Sequence, residues 1–399
     1  MTAPHIALGD RSLYPDLKAK AYLAYAATAP VSSLVKTAVN GVLDAYAERG
    51  NVAFFDFIEQ RERLRAKLGQ LVGAPAQDIA LGSGTTRGIS DLALCMPWQA
   101  GDRVLLFEGE FPANVSPWLR AAELFGLRVD FVPMARAVED ETSFLQPLER
   151  LLVTGARLVT VSAVQFQTGL RMPLGSIGEL CRRYGAELCV DAIQACGAVP
   201  LDVQASGVDY LVTGAHKWLL GPEGVAFLYA RPECARALLP RTAGWLSHED
   251  GTRFLFAGPG ELRYDRPLKQ GLQMLEGGSS STLGFAALEA ALEPILALTP
   301  SRIFAHLEQY LNLLEPLVVA RGFRSRRSTR REGHSGILSF EPPASVSATD
   351  LVTQLRGRGV FASMPDGLLR FAPHFPNALS EIETVVAALD DAVSALRPS

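Results

Sequence analysis

Lys217 stands in VTGAHKWLLGPEG (212–224), at the end of an apolar run, with His216 before it and Trp218 and a Gly-Pro turn after it. Lysine is rare in such a setting unless its charge is neutralised or its amine forms a covalent adduct. The plainer possibility is a side chain that reaches from a strand end to water. Upstream, DAIQ (191–194) follows directly on ELCV. Asp191 therefore ends a second apolar run, where a carboxylate serves a ligand, a salt bridge or a local helix cap. A third feature, GSGTTRG (82–88), separates a strand-like DIAL from a helix-like segment. Small residues there let backbone N–H groups converge on an anion at a helix start, with Thr85 and Thr86 adding hydroxyls. A plain tight turn has the same composition. So does a dinucleotide-binding turn, and Glu108 falls about 20 residues further on, as that motif requires. The segment lacks the P-loop lysine, however, and follows about 80 residues of chain rather than opening a fold, which favours a phosphate site without a dinucleotide.

The three features reinforce one another. A phosphate-binding turn, a carboxylate and a lysine, in that order and each at the end of a different strand, are what pyridoxal 5'-phosphate (PLP) needs. The phosphate requires an anchor, the pyridine nitrogen an anion that keeps it protonated, and the aldehyde an amine.

The elements that position these residues can be read from hydrophobic periodicity. Helices are expected at 31–49, 56–72, 86–95, 114–125 and 173–184, three of them closed by Gly73, Gly126 and Gly185. Strands are expected at 78–81, 103–107, 128–134, 158–164, 187–193, 210–216 and 224–230. Apolar strands alternating with helices imply an α/β fold with a mostly parallel sheet covered on both faces. Ligands of such sheets sit at the carboxyl ends of the strands. The texture changes after residue 282: helices at 282–298, 301–320, 349–358 and 380–396 alternate with short strands at 336–342 and 368–373. We therefore expect an N-terminal arm (1–30), a large domain (31–284) and a smaller C-terminal α+β domain (285–399), with the irregular 241–281 segment as connector.

At 399 residues, with 48% hydrophobic and 20% charged residues, the chain is an ordinary globular one with ample core. A net charge of −4 gives no pull toward nucleic acid or anionic lipid. The local exception is the run Arg321, Arg324, Arg326, Arg327, Arg330, Arg331, either a basic patch or a solvated loop between a helix and a strand. Five cysteines without a CxxC pair point to reduced thiols in a cytoplasm, and no metal site is indicated. No apolar run approaches the roughly 18 residues of a spanning helix, and no membrane partner is expected.

From YAATAP (25–30) to RFAPHFPN (370–377) the sequence resembles the class V aminotransferase superfamily of fold type I PLP enzymes. That group includes cysteine desulfurases, kynureninases, isopenicillin-N-epimerase-like proteins and several β-lyases. The pattern Asp191–Gln194–His216–Lys217 carries the resemblance. It implies that Lys217 holds the cofactor as a Schiff base, Asp191 pairs with the pyridine nitrogen and Gln194 bonds the phenolic oxygen. Thr85 and Thr86 would hold the phosphate, with His216 beside it. EFPANVSPW (110–118) is similar to the segment whose aromatic residue lies on the pyridine ring, here Phe111; the plainer alternative is that Phe111 is simple core. LEGGSSST (275–282) is similar to the stretch that reaches into a neighbouring subunit's site, which implies a homodimer with shared active sites and Ser279 at the phosphate. Arg370 matches the residue that clamps the substrate's α-carboxylate, although a structural salt bridge would also explain an arginine there.

Two departures stand out. Where desulfurases commonly have a phosphate-binding serine, three residues before the lysine, this chain has Gly214. Where they carry a persulfide-forming cysteine, it reads GVFASMPDGLLR (359–370), without one. The resemblance thus implies a PLP-dependent transferase or lyase acting on a small or sulfur-containing amino acid, without cysteine-borne sulfur transfer. Epimerase chemistry is the alternative within the family, and a nucleotide-binding oxidoreductase the alternative outside it.

Overall fold

The computed structural model describes residues 6–134, 137, 140 and 143–396; the first five residues of the expected N-terminal arm lie outside this range. Apolar runs on strands need cover on both faces, and the central sheet provides it. Its seven strands lie in the order Ile79–Gly82, Ala226–Ala230, Tyr210–Gly214, Glu187–Asp191, Leu158–Ser162, Arg103–Phe107, Arg128–Val132. Every pairing is parallel except the two made by Ala226–Ala230. That strand opposes both its neighbours, so Ile79–Gly82 runs with the others and the sheet is mostly parallel.

Because successive side chains on a strand point to opposite faces, the same strands feed two cores. Leu105, Phe107, Val159, Val161, Leu188, Val190 and Leu211 belong to one, together with Leu64, Leu68, Ile177, Leu288 and Leu292 from the helices above. Val104, Leu106, Leu158, Cys189, Tyr210 and Val212 belong to the other, with Ile89, Leu92 and Trp118. The helices Phe54–Val72, Ser116–Phe125 and Leu174–Tyr184 end where Gly73, Gly126 and Gly185 turn into the left-handed region, a conformation that glycine adopts without a Cβ clash.

The C-terminal part has its own core, in which Tyr310, Leu314, Phe340, Leu351, Leu355, Phe371, Val385 and Leu389 meet. A three-stranded antiparallel sheet of Leu369–Phe371, Leu338–Glu341 and Arg324–Ser325 backs it. Ala21 and Leu23 join this core, and Ala21–Tyr22 pairs in parallel with Val360–Phe361, so the start of the chain is tied to its end. The expected irregular stretch, 241–281, contains short 3-10 turns and a single antiparallel bridge between His248 and Leu268. Two helices, Leu145–Val153 and Pro232–Ala237, are absent from the sequence expectation.

The arginine run is neither a bare basic patch nor simply solvated. Arg321 meets Asp390 at 2.6 Å, Arg327 meets Glu315 at 2.9 Å, Arg331 meets Glu308 at 2.8 Å, and Arg324 and Arg326 flank Glu341. Four carboxylates distant in sequence offset most of its charge.

Candidate active site

The carboxyl edge of the sheet gathers the residues singled out above. Gly82 leads through Ser83 and Gly84 into the helix Thr85–Cys95, Asp191 is the last residue of its strand, and Lys217 follows Gly214 by one short turn. A cleft of about 820 Å³ opens there, lined among others by Thr85, Thr86, Phe111, Asp191, Gln194, His216, Lys217 and Arg370. Of the site residues expected from sequence, Ser279 alone is absent from this lining; it is exposed on the surface of the single chain.

At one end the helix Thr85–Cys95 starts after Gly84 without a side-chain cap, which leaves its first backbone N–H groups unsatisfied within the helix. Thr85 Oγ1 is buried and has no hydrogen-bond partner among the described residues. Gly214 faces the same spot: a Cβ on it would lie 3.1 Å from Thr85 Oγ1 and 3.4 Å from His216 Nδ1. His216 is half-buried, and burial followed by the neighbouring Lys217 charge keeps its imidazole below the usual range.

In the middle, Asp191 is buried and accepts from the Ile193 backbone N–H at 2.9 Å. Burial pushes its carboxyl up to about 7, helped by Glu110 and opposed by that hydrogen bond and by Lys217. Lys217 is displaced in the opposite direction: burial lowers its amine to about 8, with Arg370 adding to the effect and Asp191 opposing it. Lys217 Nζ lies 5.6 Å from the centre of the Phe111 ring, which in turn meets Phe166 edge to face at 5.2 Å.

At the far end Arg370 is 5% exposed. Its Nε donates to Ser363 Oγ at 2.9 Å and its Nη1 to the Phe166 carbonyl at 2.6 Å. No carboxylate among the described residues forms an ion pair with it, and burial lowers its guanidinium to about 10. A buried cation without an anion is costly, so this end of the cleft is suited to an anionic ligand.

These groups fit PLP. The orphan Thr85 hydroxyl and the open helix start suit a phosphate, the buried Asp191 suits a protonated ring nitrogen, and Lys217 supplies an amine whose neutral form is accessible near neutral pH. Arg370 remains free for a second anion.

Several neighbours of the site were not identified from sequence. Glu110 is buried directly behind Phe111 and accepts from the Ser162 backbone N–H at 2.7 Å, from the Ser162 hydroxyl, from Asn114 at 3.1 Å and from Gln165 at 3.2 Å. Phe166 and Pro365 also line the cleft. Glu110 lies within the EFPANVSPW segment, but nothing in its spacing marks it as buried. All five cysteines are free and buried, and none lines the cleft.

Residues 21–367 match the family model described as aminotransferase class-V. An uncharacterized aminotransferase, YcbU, of Bacillus subtilis is 24% identical over 96% of this chain and 97% of its own length. The cysteine desulfurase CsdA of Escherichia coli is 29% identical over 97% of each chain. A crystal structure of CsdA superposes with a TM-score of 0.84 at 25% identity, covering 96% of this chain and 98% of that one. A mutant of C-DES, with glycine covalently linked to its PLP cofactor, superposes with a TM-score of 0.86 at 22% identity, covering 96% and 99%. These matches do not favour the dinucleotide reading of the 82–88 turn or the epimerase alternative.

Proposed function

The chain belongs to the class V aminotransferase family, PLP-dependent enzymes acting on amino acids by aminotransferase or lyase chemistry, and from that premise we propose that Lys217 carries the cofactor and serves as the base at the substrate's Cα. When bound, PLP supplies an aldehyde for amines and a ring that takes up the electron pair left at Cα. The chain's own residues do the rest. Lys217, its amine lowered to about 8, holds the cofactor at rest and, once free, takes the Cα proton from the substrate. Asp191 holds the proton on the ring nitrogen. Phe111 offers an apolar face that cannot exchange protons, which leaves Lys217 the acid–base work.

Thr85, Thr86, His216 and the helix start hold the phosphate, and one N–H of Gln194 serves the phenolic oxygen. Arg370 holds the α-carboxylate. The observation that carries this reading is the pairing, in one cleft, of a buried carboxylate and a lysine of lowered pKa with an arginine that has no counter-ion among the described residues. The substrate is proposed to be a small or sulfur-containing amino acid, processed without a cysteine relay since no thiol lines the cleft.

We further propose a homodimer in which Ser279 of one protomer reaches the partner's phosphate. Exposed apolar residues support a covered face: Val52, Phe55 and Ile58 on one stretch, Phe254, Leu255 and Phe256 on another, with the Phe55 and Phe256 rings 5.4 Å apart. The five unpaired cysteines support a cytoplasmic location. Among the described residues no single helix is long and apolar enough to cross a membrane. Incubating the holoenzyme with a panel of amino acids, and assaying keto acid, ammonia, pyruvate and sulfide, tests the assignment. Turnover of one amino acid is expected, and a yellow protein inert to the whole panel would contradict it.

A further inference from the structure

Trp218, the residue after Lys217, is fully buried and does not line the cleft, yet it holds a residue that does. Its indole Nε1–H donates to Gln194 Oε1 at 2.8 Å, while Gln194 Nε2 donates to the Ala26 carbonyl at 3.0 Å. An amide nitrogen has two hydrogens, so one N–H of Gln194 remains. Flipping the amide would set the –NH₂ against the indole N–H and the amide oxygen against the Ala26 carbonyl, two mismatches in a buried place.

The indole is itself seated. The Trp218 carbonyl accepts from His374 Nε2 at 3.0 Å, and His374 Nδ1 accepts from the Phe375 backbone N–H at 2.7 Å, which fixes the proton on Nε2. A Cβ on Gly336 would lie 2.7 Å from the indole ring, and one on Gly197 would lie 2.3 Å from the Trp218 carbonyl. Gly336 leaves room for the indole and Gly197 for the Trp218 carbonyl.

We propose that Trp218 is a positioning residue: it locks the Gln194 amide with its free N–H turned toward the cofactor's phenolic oxygen. The proposal rests on Gln194 facing that oxygen, as in the function proposed above. A donor on the phenolic oxygen favours its anionic form, so losing the donor moves the pH at which the bound cofactor's visible band titrates upward. Trp218→Phe keeps most of the ring and removes the N–H.

In the W218F holoenzyme the midpoint is expected to rise by about one unit, the size of one hydrogen bond to a charged group. Gln194→Ala should give a similar rise, and the double variant no more than Q194A alone, because Trp218 acts through Gln194. An unchanged midpoint in yellow W218F protein, or a double variant whose shift is the sum of the two, would overturn the proposal. Should W218F not fold, a tryptophan analogue with sulfur in place of the indole N–H keeps the shape and is expected to give the same shift. Wild-type protein that binds no PLP at Lys217 would instead refute the underlying function.

Discussion

Replacing Arg370 with lysine separates an amino-acid enzyme from one that acts on simple amines. The guanidinium spends Nε on Ser363 and Nη1 on the Phe166 carbonyl, and no carboxylate among the described residues pairs with it. With burial lowering it only to about 10, it stays charged at neutral pH. Its outer edge can therefore offer two parallel charge-assisted bonds to an α-carboxylate, which an ammonium cannot reproduce. Losing one such bond costs about 1.5–3 kcal/mol, or roughly 10- to 150-fold in binding. The assay is a spectral titration of holoenzyme with an amino acid and, in parallel, with its decarboxylated amine. R370K should bind the amino acid more weakly by that factor, bind the amine as wild type does, and leave the cofactor's own spectrum unchanged. Equal losses on both ligands would show that Arg370 only braces the Phe166 and Ser363 loops.

Asp191→Asn should fold normally while turnover falls about 10²- to 10³-fold, the size of effect seen when a charge-stabilising group is removed, and near-normal turnover would make Asp191 merely structural. The same residue affects the apoprotein's pH response. Its folded-state value of about 7 lies above its ordinary 3.8, so the stability it contributes is present below 3.8 and lost as pH rises toward about 7. Urea melts of the apoprotein across that window should show this component in wild type and not in D191N; identical slopes would contradict the assignment. Ser279→Ala should weaken PLP binding in a protein that light scattering shows to be dimeric, whereas a monomer that binds PLP as tightly as wild type would refute the shared site.

The sheet and most of the residues that gather in the cleft at its carboxyl edge are legible because the signals are local. An apolar strand buried on both faces is a continuous run, and Asp191 and Lys217 each sit at or just beyond the end of one. What could not be read depends on partners far apart in sequence. The two-residue strand Ala21–Tyr22 is too short for any periodicity and exists because Val360–Phe361 lies beside it. The helix Leu145–Val153 is an exception: Leu145, Leu148 and Leu152 repeat at helical spacing, but the element is only nine residues long and carries a proline in its first turn. The ion pairs of the arginine run, which reads from sequence as a basic patch or a solvated loop, are hidden because Glu308, Glu315, Glu341 and Asp390 are brought to it only by folding. Glu110 belongs to the same class: its burial and its donors from Ser162 and Gln165 are set by the neighbouring strand and the turn after it. The bond between Trp218 and Gln194 likewise joins two segments whose spacing gives no hint of contact.

The assignment of Lys217 is tested most directly by reducing the PLP-loaded protein with borohydride and mapping the labelled peptide. The chain has five other lysines, Lys18, Lys20, Lys36, Lys67 and Lys269, and none of them lines the cleft. The label is expected on Lys217 alone; a label on any of the other five, or a protein that takes up PLP without a reducible bond, would contradict it.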